Sequence, residues 1–364
     1  MNISELETPA LLIDLDVMEA NLKKLADYGQ KHRLRVRPHT KTHKIPALGR
    51  KQLDLGAAGL TVAKVGEAEV MLAAQPPELL VAYPVVGEKK LDRLAQVAGK
   101  TSVTVSLDSE TVARQLSDAA TRSGQEIGVL AEVDVGLGRV GVPPGETLLQ
   151  LVQQIHKLPG LRFEGIAFYP GHIRRMDEEG EQALKNLAQT LERILEDLKK
   201  AGFQAKIVSG GSTPTLFHSH RVPGLNEIRP GTYIFNDRNT VLAGAATFEE
   251  CAASILVTVV STAKPGQMII DGGSKTFSSD GPMAGTETSY GRLIQAPDAV
   301  FTKMNEEHGY VDLRRAGKKF NVGEKVRVIP NHVCVAMNLH ECVYGIRGDQ
   351  VEQTWRVEGR GKLQ

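Results

Sequence analysis

Short apolar segments and amphipathic segments alternate along the first two thirds of the chain. Each apolar segment is rich in Val, Ile and Leu, and the segment after it repeats apolar residues at helical spacing. Strands of a parallel sheet are covered on both faces and therefore consist of short, continuous apolar runs. The pattern predicts eight such strands, at ALLIDLD (10–16), RLRVRPHT (33–40), GLTVA (59–63), ELLVAYPV (78–85), TSVTVSLD (101–108), IGVLAEVDVG (127–136), LRFEGIAFYPG (161–171) and AKIVSGG (205–211).

Eight strand and helix units are the number found in a (β/α)8 barrel, a fold of about 250 residues. A doubly wound open sheet is the alternative for the same pattern. No GxGxxG sequence opens a helix after a first strand, which disfavours the dinucleotide-binding form of that sheet. We therefore expect the α/β class with a TIM-type (β/α)8 barrel.

The pattern changes after about Phe235, where helical spacing largely disappears. Glycine and polar turns separate the remaining strand-like segments, which indicates a separate, mostly antiparallel β domain. The expected domains are thus a barrel over residues 1–235 and a β domain over residues 236–364. The segments that predict the β domain are ECAASILVTVVSTA (250–263), GQMIIDGG (266–273), EKVRVIPN (324–331), HECVYGIR (340–347) and QTWRVEG (353–359).

Composition narrows the class of protein. The formal net charge of +1 gives no electrostatic reason to expect binding to nucleic acid or to an anionic membrane. No apolar run approaches the ~18–20 residues that span a bilayer, and the N-terminal segment lacks the basic start and apolar stretch of a signal peptide. Three cysteines among 364 residues suit a reducing compartment. We expect a cytoplasmic protein.

A cluster of basic and proton-accepting residues follows the second predicted strand. The sequence RPHTKTHK (37–44) places Lys41 between two threonines and two histidines. Active sites of (β/α)8 barrels lie at the C-terminal ends of the strands, and a neutral lysine amine at such a position can form a Schiff base with a carbonyl compound. A solvated basic loop is the alternative explanation of the octapeptide alone.

Polar residues also follow the later strands of the predicted barrel. A glycine-rich turn with hydroxyl groups suits a phosphate, because its backbone N–H groups are exposed. Each position, taken alone, could be an ordinary turn or surface residue. Taken together with Lys41, a phosphate turn indicates pyridoxal phosphate. The positions are Arg139, Tyr169, Ser212, Thr213, Arg229, Gly231 and Thr232.

A second candidate site lies in the β domain. In VIPNHVC, His332 and Cys334 are two residues apart on a strand-like segment, and this spacing directs both side chains to one face. Imidazole and thiolate together suit zinc, and two protein ligands leave positions open for water or substrate. A buried cysteine beside a hydrogen-bonded histidine is the alternative.

Together these segments resemble a known family. RPHTKTHK, EVDVGLGRVG, SGGST, EIRPGTY, DGGSK and PNHVC are similar to sequences of the D-threonine aldolase and D-serine dehydratase family. Its members are metal-activated, alanine-racemase-like, fold-type III pyridoxal-phosphate enzymes. The combination of RPHxKTHK with PNHxC is specific, whereas EVDxGxxRxG and RPG also occur in plain alanine racemases. The resemblance extends over almost the whole chain.

The resemblance implies a role for each candidate residue. Lys41 matches the Schiff-base lysine, Arg139 an arginine near the phenolic oxygen of the cofactor, and Tyr169 a tyrosine of the cofactor pocket. Arg229 stands where alanine racemases hold the pyridine nitrogen with arginine. The phosphate-binding turns correspond to Ser212, Thr213, Gly231 and Thr232, and the metal pair of the dehydratases to His332 and Cys334.

The activity that the resemblance implies is a lyase reaction on D-3-hydroxy amino acids. The aldolases used for comparison carry aspartate at the position of Cys334, which favours a D-serine, D-threonine or 3-hydroxyaspartate dehydratase, and zinc rather than manganese or magnesium. D-threonine aldolase is the next alternative. An amino-acid racemase would need a second base, for which Tyr290 is the nearest candidate, and a non-catalytic carrier of the cofactor would lack the β domain. Related enzymes pair so that the β domain of one chain caps the barrel of the other, and we therefore expect a homodimer.

Overall fold

The computed structural model describes residues 1–282 and 288–364. The chain folds into two compact units. The barrel unit comprises Lys24–Gly231 and Gly361–Gln364, and the β unit comprises Met1–Lys23 and Thr232–Arg360. No helix of the described part of the chain is both long and apolar enough to cross a bilayer.

The barrel unit contains an eight-stranded parallel sheet in the order β2-β9-β8-β7-β6-β5-β4-β3. A parallel bridge between His39 and Thr61 joins the two ends of that order. The expected barrel is therefore confirmed. Its strands are β2 Arg35–Val36, β3 Leu60–Val62, β4 Glu78–Val81, β5 Ser102–Leu107, β6 Ile127–Val133, β7 Leu161–Phe168, β8 Ile207–Gly210 and β9 Glu227–Ile228.

An α-helix follows each of the strands β2 to β7, as crossover connections between parallel strands usually require. Leu80, Leu130 and Ala167, from β4, β6 and β7, form a buried cluster of the barrel core. The helices are α1 Leu15–His32, which crosses the unit boundary, α2 Pro46–Asp54, α3 Val65–Met71, α4 Glu88–Ala98, α5 Glu110–Ser123, α6 Glu146–Lys157 and α7 Glu178–Lys200.

Helix α7 illustrates why these segments are helical. The Asp177 carboxylate caps its first turn by accepting the N–H of Gly180, and acidic residues there complement the positive end of the helix dipole. The buried side chains recur every three or four residues and form one apolar stripe, which consists of Leu184, Leu187, Leu191, Ile194 and Leu198.

Among its described residues, the β unit contains a nine-stranded sheet in which every pairing is antiparallel except that of strand Ala10–Asp14 with strand Cys342–Arg347. The expectation of a mostly antiparallel domain is confirmed. Its core includes Leu6, Ala10, Leu12, Leu256 and Ile346. Its elements are β1 Ala10–Asp14, α8 Arg238–Leu242, β10 Ala253–Ser261, β11 Gln267–Ile270, α9 Ser274–Phe277, β12 Gly291–Leu293, β13 Val300–Met304, β14 Gly309–Asp312, β15 Lys325–Pro330, α10 Val333–Leu339, β16 Cys342–Arg347 and β17 Gln350–Arg356.

The prediction that ALLIDLD forms the first barrel strand is wrong. Strand β1 pairs with β10 and β16 in the β unit, so residues 1–23 belong to that unit rather than to a barrel spanning residues 1–235. An apolar run reports that a strand is buried but does not identify the sheet that it joins. The eighth barrel strand is β9, which has only two residues and too short an apolar run to be recognised.

Candidate active site

Lys41 lies in a single 3-10 turn, Thr40–Thr42, that follows β2. Both threonines are buried, whereas the lysine side chain is exposed. The Lys41 backbone N–H donates to His39 Nδ1 at 3.4 Å. Within the described part of the chain no hydrogen bond or ion pair engages the Lys41 amine. The turn therefore presents a free amine at the C-terminal end of a barrel strand.

Two buried histidines, His39 and His43, are neutral and support this turn. Burial lowers the pKa of His39 well below 6.5, and the charges of Lys41 and Arg229 lower it further. Burial also lowers the pKa of His43 to about 4. The neutral rings can accept hydrogen bonds, and His43 Nδ1 accepts the Ile45 N–H at 3.1 Å. Both histidines thus support the backbone on either side of Lys41.

The neighbouring strands fix the position of the turn. Thr40 Oγ1 donates to the carbonyl oxygen of Thr61 on β3 at 3.1 Å, and the backbone N–H of His39 donates to the carbonyl oxygen of Pro230 at 2.9 Å. A Cβ atom on Gly231 would lie 2.7 Å from Thr42 Oγ1 and 3.1 Å from the carbonyl oxygen of His39. Only glycine lets the segment after β9 approach the Lys41 turn this closely.

Arg139 and Tyr169 come together at the ends of β6 and β7. The Asp134 carboxylate accepts the backbone N–H groups of residues 136–138 at 3.0–3.1 Å, which lower its pKa and shape the loop before Arg139. The guanidinium carbon of Arg139 lies 4.8 Å from the centroid of the Tyr169 ring, within the range of a cation–π contact. His172, in the loop after Tyr169, has a buried Nδ1 without a hydrogen-bond partner in the described part of the chain.

The glycine-rich turn after β8 is closed by its own hydroxyl groups. Thr215 Oγ1 lies 3.1 Å from the backbone nitrogen of Ser212, whose N–H it accepts, and 3.0 Å from Ser212 Oγ. Gly211 has a φ of +97°, a conformation that favours glycine. Among the described residues, no hydrogen bond engages the Thr213 hydroxyl. These contacts form a tight turn, and the Thr213 hydroxyl group remains available as a hydrogen-bond donor.

Arg229, directly after β9, is anchored from two sides. Its Nη1 donates to Ser209 Oγ at 2.5 Å, and its Nη2 donates to the carbonyl oxygen of Phe168 at 3.0 Å. A Cβ atom on Gly210 would lie 2.1 Å from the Phe168 ring, so this part of the strand also requires glycine. These contacts fix the plane of the guanidinium group.

The barrel unit thus gathers most of the predicted residues at one edge of its parallel sheet. Lys41, Arg139, Tyr169, Ser212, Thr213, Arg229 and Gly231 all follow C-terminal strand ends. These residues fit pyridoxal phosphate. A free amine can react with its aldehyde group, a glycine-rich turn can bind its phosphate group, and a fixed guanidinium can donate to its ring nitrogen. Thr232 is the first residue of the β unit, where its Oγ1 lies 3.7 Å from Cys334 Sγ.

The prediction that His332 and Cys334 lie on a strand is wrong. Strand β15 ends at Pro330, and His332 is the N-cap residue of α10. The helix begins here because the Asp237 carboxylate accepts the N–H of Val333 at 3.0 Å. The two side chains nevertheless meet, since His332 is hydrogen-bonded to Cys334.

The surroundings of His332 suit a cation. Asp280 Oδ2 lies 2.6 Å from His332 Nδ1, and the pKa of His332 is raised to about 9, first by its hydrogen bond to Cys334 and also by Asp237 and Asp280. Imidazole and thiol beside each other, with a carboxylate behind the imidazole, are the donors that a zinc site uses. Among the described residues, no group of three or more such side chains could hold a metal ion. Asp280 lies 52 residues before His332, and no spacing pattern along the chain connects the two residues.

Two family models together cover most of the chain. The alanine racemase N-terminal domain matches residues 13–239, and a putative serine dehydratase domain matches residues 252–346. A solved alanine racemase from Clostridium difficile 630 shares the fold, with a TM-score of 0.72 at 14% identity.

Individual relatives match over nearly their full length. D-threonine aldolase from Arthrobacter sp. is 32% identical over 99% of this chain and 94% of the relative. 3-Hydroxy-D-aspartate aldolase from Paracoccus denitrificans Pd 1222 is 33% identical over 100% of this chain and 94% of the relative. D-threo-3-hydroxyaspartate dehydratase from Delftia sp. HT23 is 30% identical over 97% of this chain and 98% of the relative.

Solved structures agree with these relatives. D-threonine aldolase from Filomicrobium marinum superposes with a TM-score of 0.93 at 31% identity, covering 99% of this chain and 98% of that one. Further structures of D-threo-3-hydroxyaspartate dehydratase, at 28% identity, are described as variants of a histidine and of a cysteine two positions later, the cysteine variant in a metal-free form. The same spacing separates His332 from Cys334. The chain therefore belongs to the D-threonine aldolase and D-serine dehydratase family of alanine-racemase-like, fold-type III pyridoxal-phosphate lyases.

Proposed function

We propose that this protein is a pyridoxal-phosphate- and metal-dependent dehydratase of D-3-hydroxy amino acids, which yields a 2-oxo acid and ammonia. The observation that carries the proposal is the pairing of His332 with Cys334, in the order and at the spacing of the histidine and cysteine that were varied in the solved structures of D-threo-3-hydroxyaspartate dehydratase. D-serine, D-threonine and D-3-hydroxyaspartate are the proposed substrate class.

Lys41 is proposed to bind the cofactor and to act as the base. When bound, pyridoxal phosphate withdraws electrons from the amino acid and makes its Cα proton acidic. The Lys41 amine is exposed and engaged by no other described residue, so it can bind the aldehyde carbon and, once released by substrate, accept the Cα proton. The buried neutral histidines on both sides hold the turn without offering a competing cation.

The remaining barrel residues are proposed to orient the cofactor. Arg229, fixed by Ser209 and by the Phe168 carbonyl group, would donate to the ring nitrogen and keep it unprotonated, since two cations in contact repel each other. Arg139, stacked on Tyr169, would face the phenolic oxygen. The turns at Ser212–Thr213 and Gly231–Thr232 would bind the phosphate.

His332 and Cys334 would hold a divalent metal, for which we propose zinc. Such an ion supplies a Lewis acid for the β-hydroxyl group of the substrate, which leaves as hydroxide. Asp280 would hold Nδ1 of His332 and thereby leave Nε2 as the nitrogen that could bind the metal. A soft thiolate favours zinc over manganese or magnesium.

A D-threonine-aldolase-type reaction is the second candidate. It would break the Cα–Cβ bond and yield glycine and an aldehyde from the same substrates. The observation in its favour is that two aldolases match this chain at 32% and 33% identity over nearly their full length.

Product analysis distinguishes these reactions. The purified protein, loaded with pyridoxal phosphate and zinc, is given D-serine, D-threonine or D-threo-3-hydroxyaspartate, with the L-isomers as controls and D-alanine as the substrate that a racemase would convert. Pyruvate from D-serine and 2-oxobutyrate from D-threonine, each with equal ammonia, are the expected products. Glycine and acetaldehyde from D-threonine would establish the aldolase instead. Racemised alanine without lyase products, or bound cofactor without turnover or zinc, would overturn both in favour of a racemase or a carrier.

We also propose that the protein is a homodimer, as the family resemblance implies. Light scattering after size-exclusion chromatography should give twice the mass of the 364-residue chain. A monomeric mass at working concentration would contradict this proposal.

A further inference from the structure

A chain of buried hydrogen bonds runs behind Arg229. Arg229 Nη1 donates to Ser209 Oγ at 2.5 Å, and Ser209 Oγ donates to Glu227 Oε1 at 2.7 Å. Ser209 and Glu227 are completely buried, on the adjacent strands β8 and β9. The contact to Arg229 therefore does not compete with solvent.

The far end of this chain is also fixed. Glu227 Oε2 accepts from Arg37 Nε at 2.9 Å, and Arg37 Nη2 donates to Glu78 Oε2 at 2.6 Å. Arg37 is 1% exposed. Because one carboxylate oxygen of Glu227 is occupied by Arg37, the other is held toward Ser209.

The donor and acceptor types allow only one direction for these bonds. A guanidinium group only donates hydrogen bonds, and an ionised carboxylate only accepts them. The single proton of Ser209 must therefore point to Glu227, and an oxygen lone pair must point to Arg229. Glu227 sets the orientation of the hydroxyl group, and the hydroxyl group in turn sets the position of the guanidinium.

We infer that Ser209 and Glu227 are positioning residues that hold Arg229 against the cofactor ring. This inference rests on the proposed function, because it assumes that pyridoxal phosphate binds at Lys41. Two donors of Arg229 are used by Ser209 and by the Phe168 carbonyl oxygen, which fixes the guanidinium plane and leaves its other N–H groups for the ring nitrogen. Neither positioning residue touches the cofactor in this scheme.

Two substitutions interrupt the chain at different bonds. Ser209→Ala removes the acceptor of Arg229 and deletes a single buried oxygen atom. In Glu227→Gln, the side-chain carbonyl oxygen must face Arg37 to accept its N–H group. The NH2 group of the glutamine then faces Ser209, where it donates instead of accepting. The Ser209 hydroxyl proton would lose its acceptor, and the lone pair for Arg229 would be contested.

The matched control is Ser117→Ala. Ser117 is 2% exposed and donates to the carbonyl oxygen of Pro159 at 2.6 Å, from helix α5 of the same unit. The Ser117→Ala variant therefore loses one buried hydrogen bond of a serine hydroxyl group, as Ser209→Ala does, but this bond does not involve Arg229. Thermal midpoints of all variants report any shared loss of stability.

The experiment titrates each apoprotein with pyridoxal phosphate and follows the absorbance of the bound cofactor as a function of pH. We expect dissociation constants about tenfold higher for Ser209→Ala and Glu227→Gln, since a hydrogen bond to a charged group is lost, together with a displaced pH titration of the absorbance. Ser117→Ala should match the wild type in both measurements. If one of the two variants does not fold, the other decides.

Wild-type affinity and an unchanged absorbance titration in the folded variants would overturn the inference. An equal weakening in Ser117→Ala would also overturn it, since the effect would then be one of stability. If pyridoxal phosphate does not bind at Lys41, the signature is different, because the wild-type protein itself then binds no cofactor there. Failure of the proposed dehydratase reaction alone changes the products of turnover and leaves these binding measurements as expected.

Discussion

Asp280 gives His332 a fixed orientation in the β unit. Its carboxylate lies 2.6 Å from Nδ1 of the histidine. Metal-bound histidines commonly donate their second N–H to such a carboxylate, which fixes the ring and raises the basicity of the coordinating nitrogen. Asp280 therefore belongs to the proposed metal site although it does not bind the metal itself.

We predict that Asp280→Asn weakens zinc binding by roughly 10–100-fold, the usual cost of losing such a partner. The measurement is competition with a chromophoric zinc chelator. Asp349→Asn, in an exposed turn of the same unit, is the control and should bind zinc like the wild type. Equal zinc affinity of the two variants would contradict the role of Asp280.

Gly231 illustrates a residue selected by close packing. A methyl group at this position would lie 2.7 Å from Thr42 Oγ1 and 3.1 Å from the backbone oxygen of His39. Either the Lys41 turn or the segment after β9 must then move, because atoms in a packed interior have little room to yield.

We predict that Gly231→Ala lowers the free energy of unfolding by about 1–3 kcal/mol and weakens cofactor binding. Urea unfolding and cofactor titration measure the two effects. Gly99→Ala is the matched control, because a Cβ atom there meets nothing closer than 3.6 Å. A Gly231→Ala variant with wild-type stability and cofactor affinity would show that the turn tolerates displacement.

At the scale of elements, the Thr40–Thr42 turn depends on histidines that remain neutral in the folded protein. The pKa of His43 is about 4, and that of His39 is well below 6.5. Between these values and 6.5 the unfolded chain binds protons that the folded chain does not. The contribution of these two histidines to stability is therefore greatest above pH 6.5 and falls as the pH decreases toward 4.

We predict that His43→Asn reduces this pH dependence. Between pH 7 and pH 5 the wild type should lose about 2 kcal/mol of unfolding free energy through His43 alone. Asparagine can accept the Ile45 N–H but does not titrate. Urea unfolding at both pH values tests this, with His156→Asn, on the exposed face of α6, as the control. An unchanged slope in His43→Asn would contradict the assignment.

Elements of the barrel were predictable where their apolar runs were long. Strands β6 and β7, with seven and eight residues, were located from the sequence, whereas β9 was missed because two residues carry no pattern. Strand β1 was located but assigned to the wrong sheet, since its pairing with β10 and β16 depends on residues over 200 positions away. The spacing of apolar residues in the sequence shows that a strand is buried, but it does not show which strand it pairs with.

The same limit applies to the candidate site. Residues at strand ends, such as Lys41 and Arg229, could be selected because parallel strands place their C-terminal ends at one edge. The helix at His332 was missed, because its start depends on the distant Asp237 carboxylate. Asp280 and the bond between Ser209 and Glu227 could not be selected, because they depend on three-dimensional contact alone.

In the whole molecule, the residue proposed to bind the cofactor and the residues proposed to bind the metal lie in different units. Lys41 belongs to the barrel unit, whereas His332 and Cys334 belong to the β unit. We predict that chelation of the metal reduces lyase turnover at least 100-fold, in line with the size of Lewis-acid stabilisation, and leaves the bound cofactor in place. Absorbance of the dialysed protein and its activity before and after zinc is restored provide the measurement. Full turnover without metal would contradict the proposed role of the pair.

Borohydride reduction followed by peptide mapping identifies the lysine that is bound to the cofactor, which we propose to be Lys41. Lys44, three residues later, is a built-in control, because its amine is buried and paired with Glu67 at 3.2 Å. We expect the reduced cofactor on Lys41 and not on Lys44, and we expect Lys41→Ala to take up no cofactor and to lose activity. Cofactor on another lysine, or full activity in Lys41→Ala, would contradict this proposal.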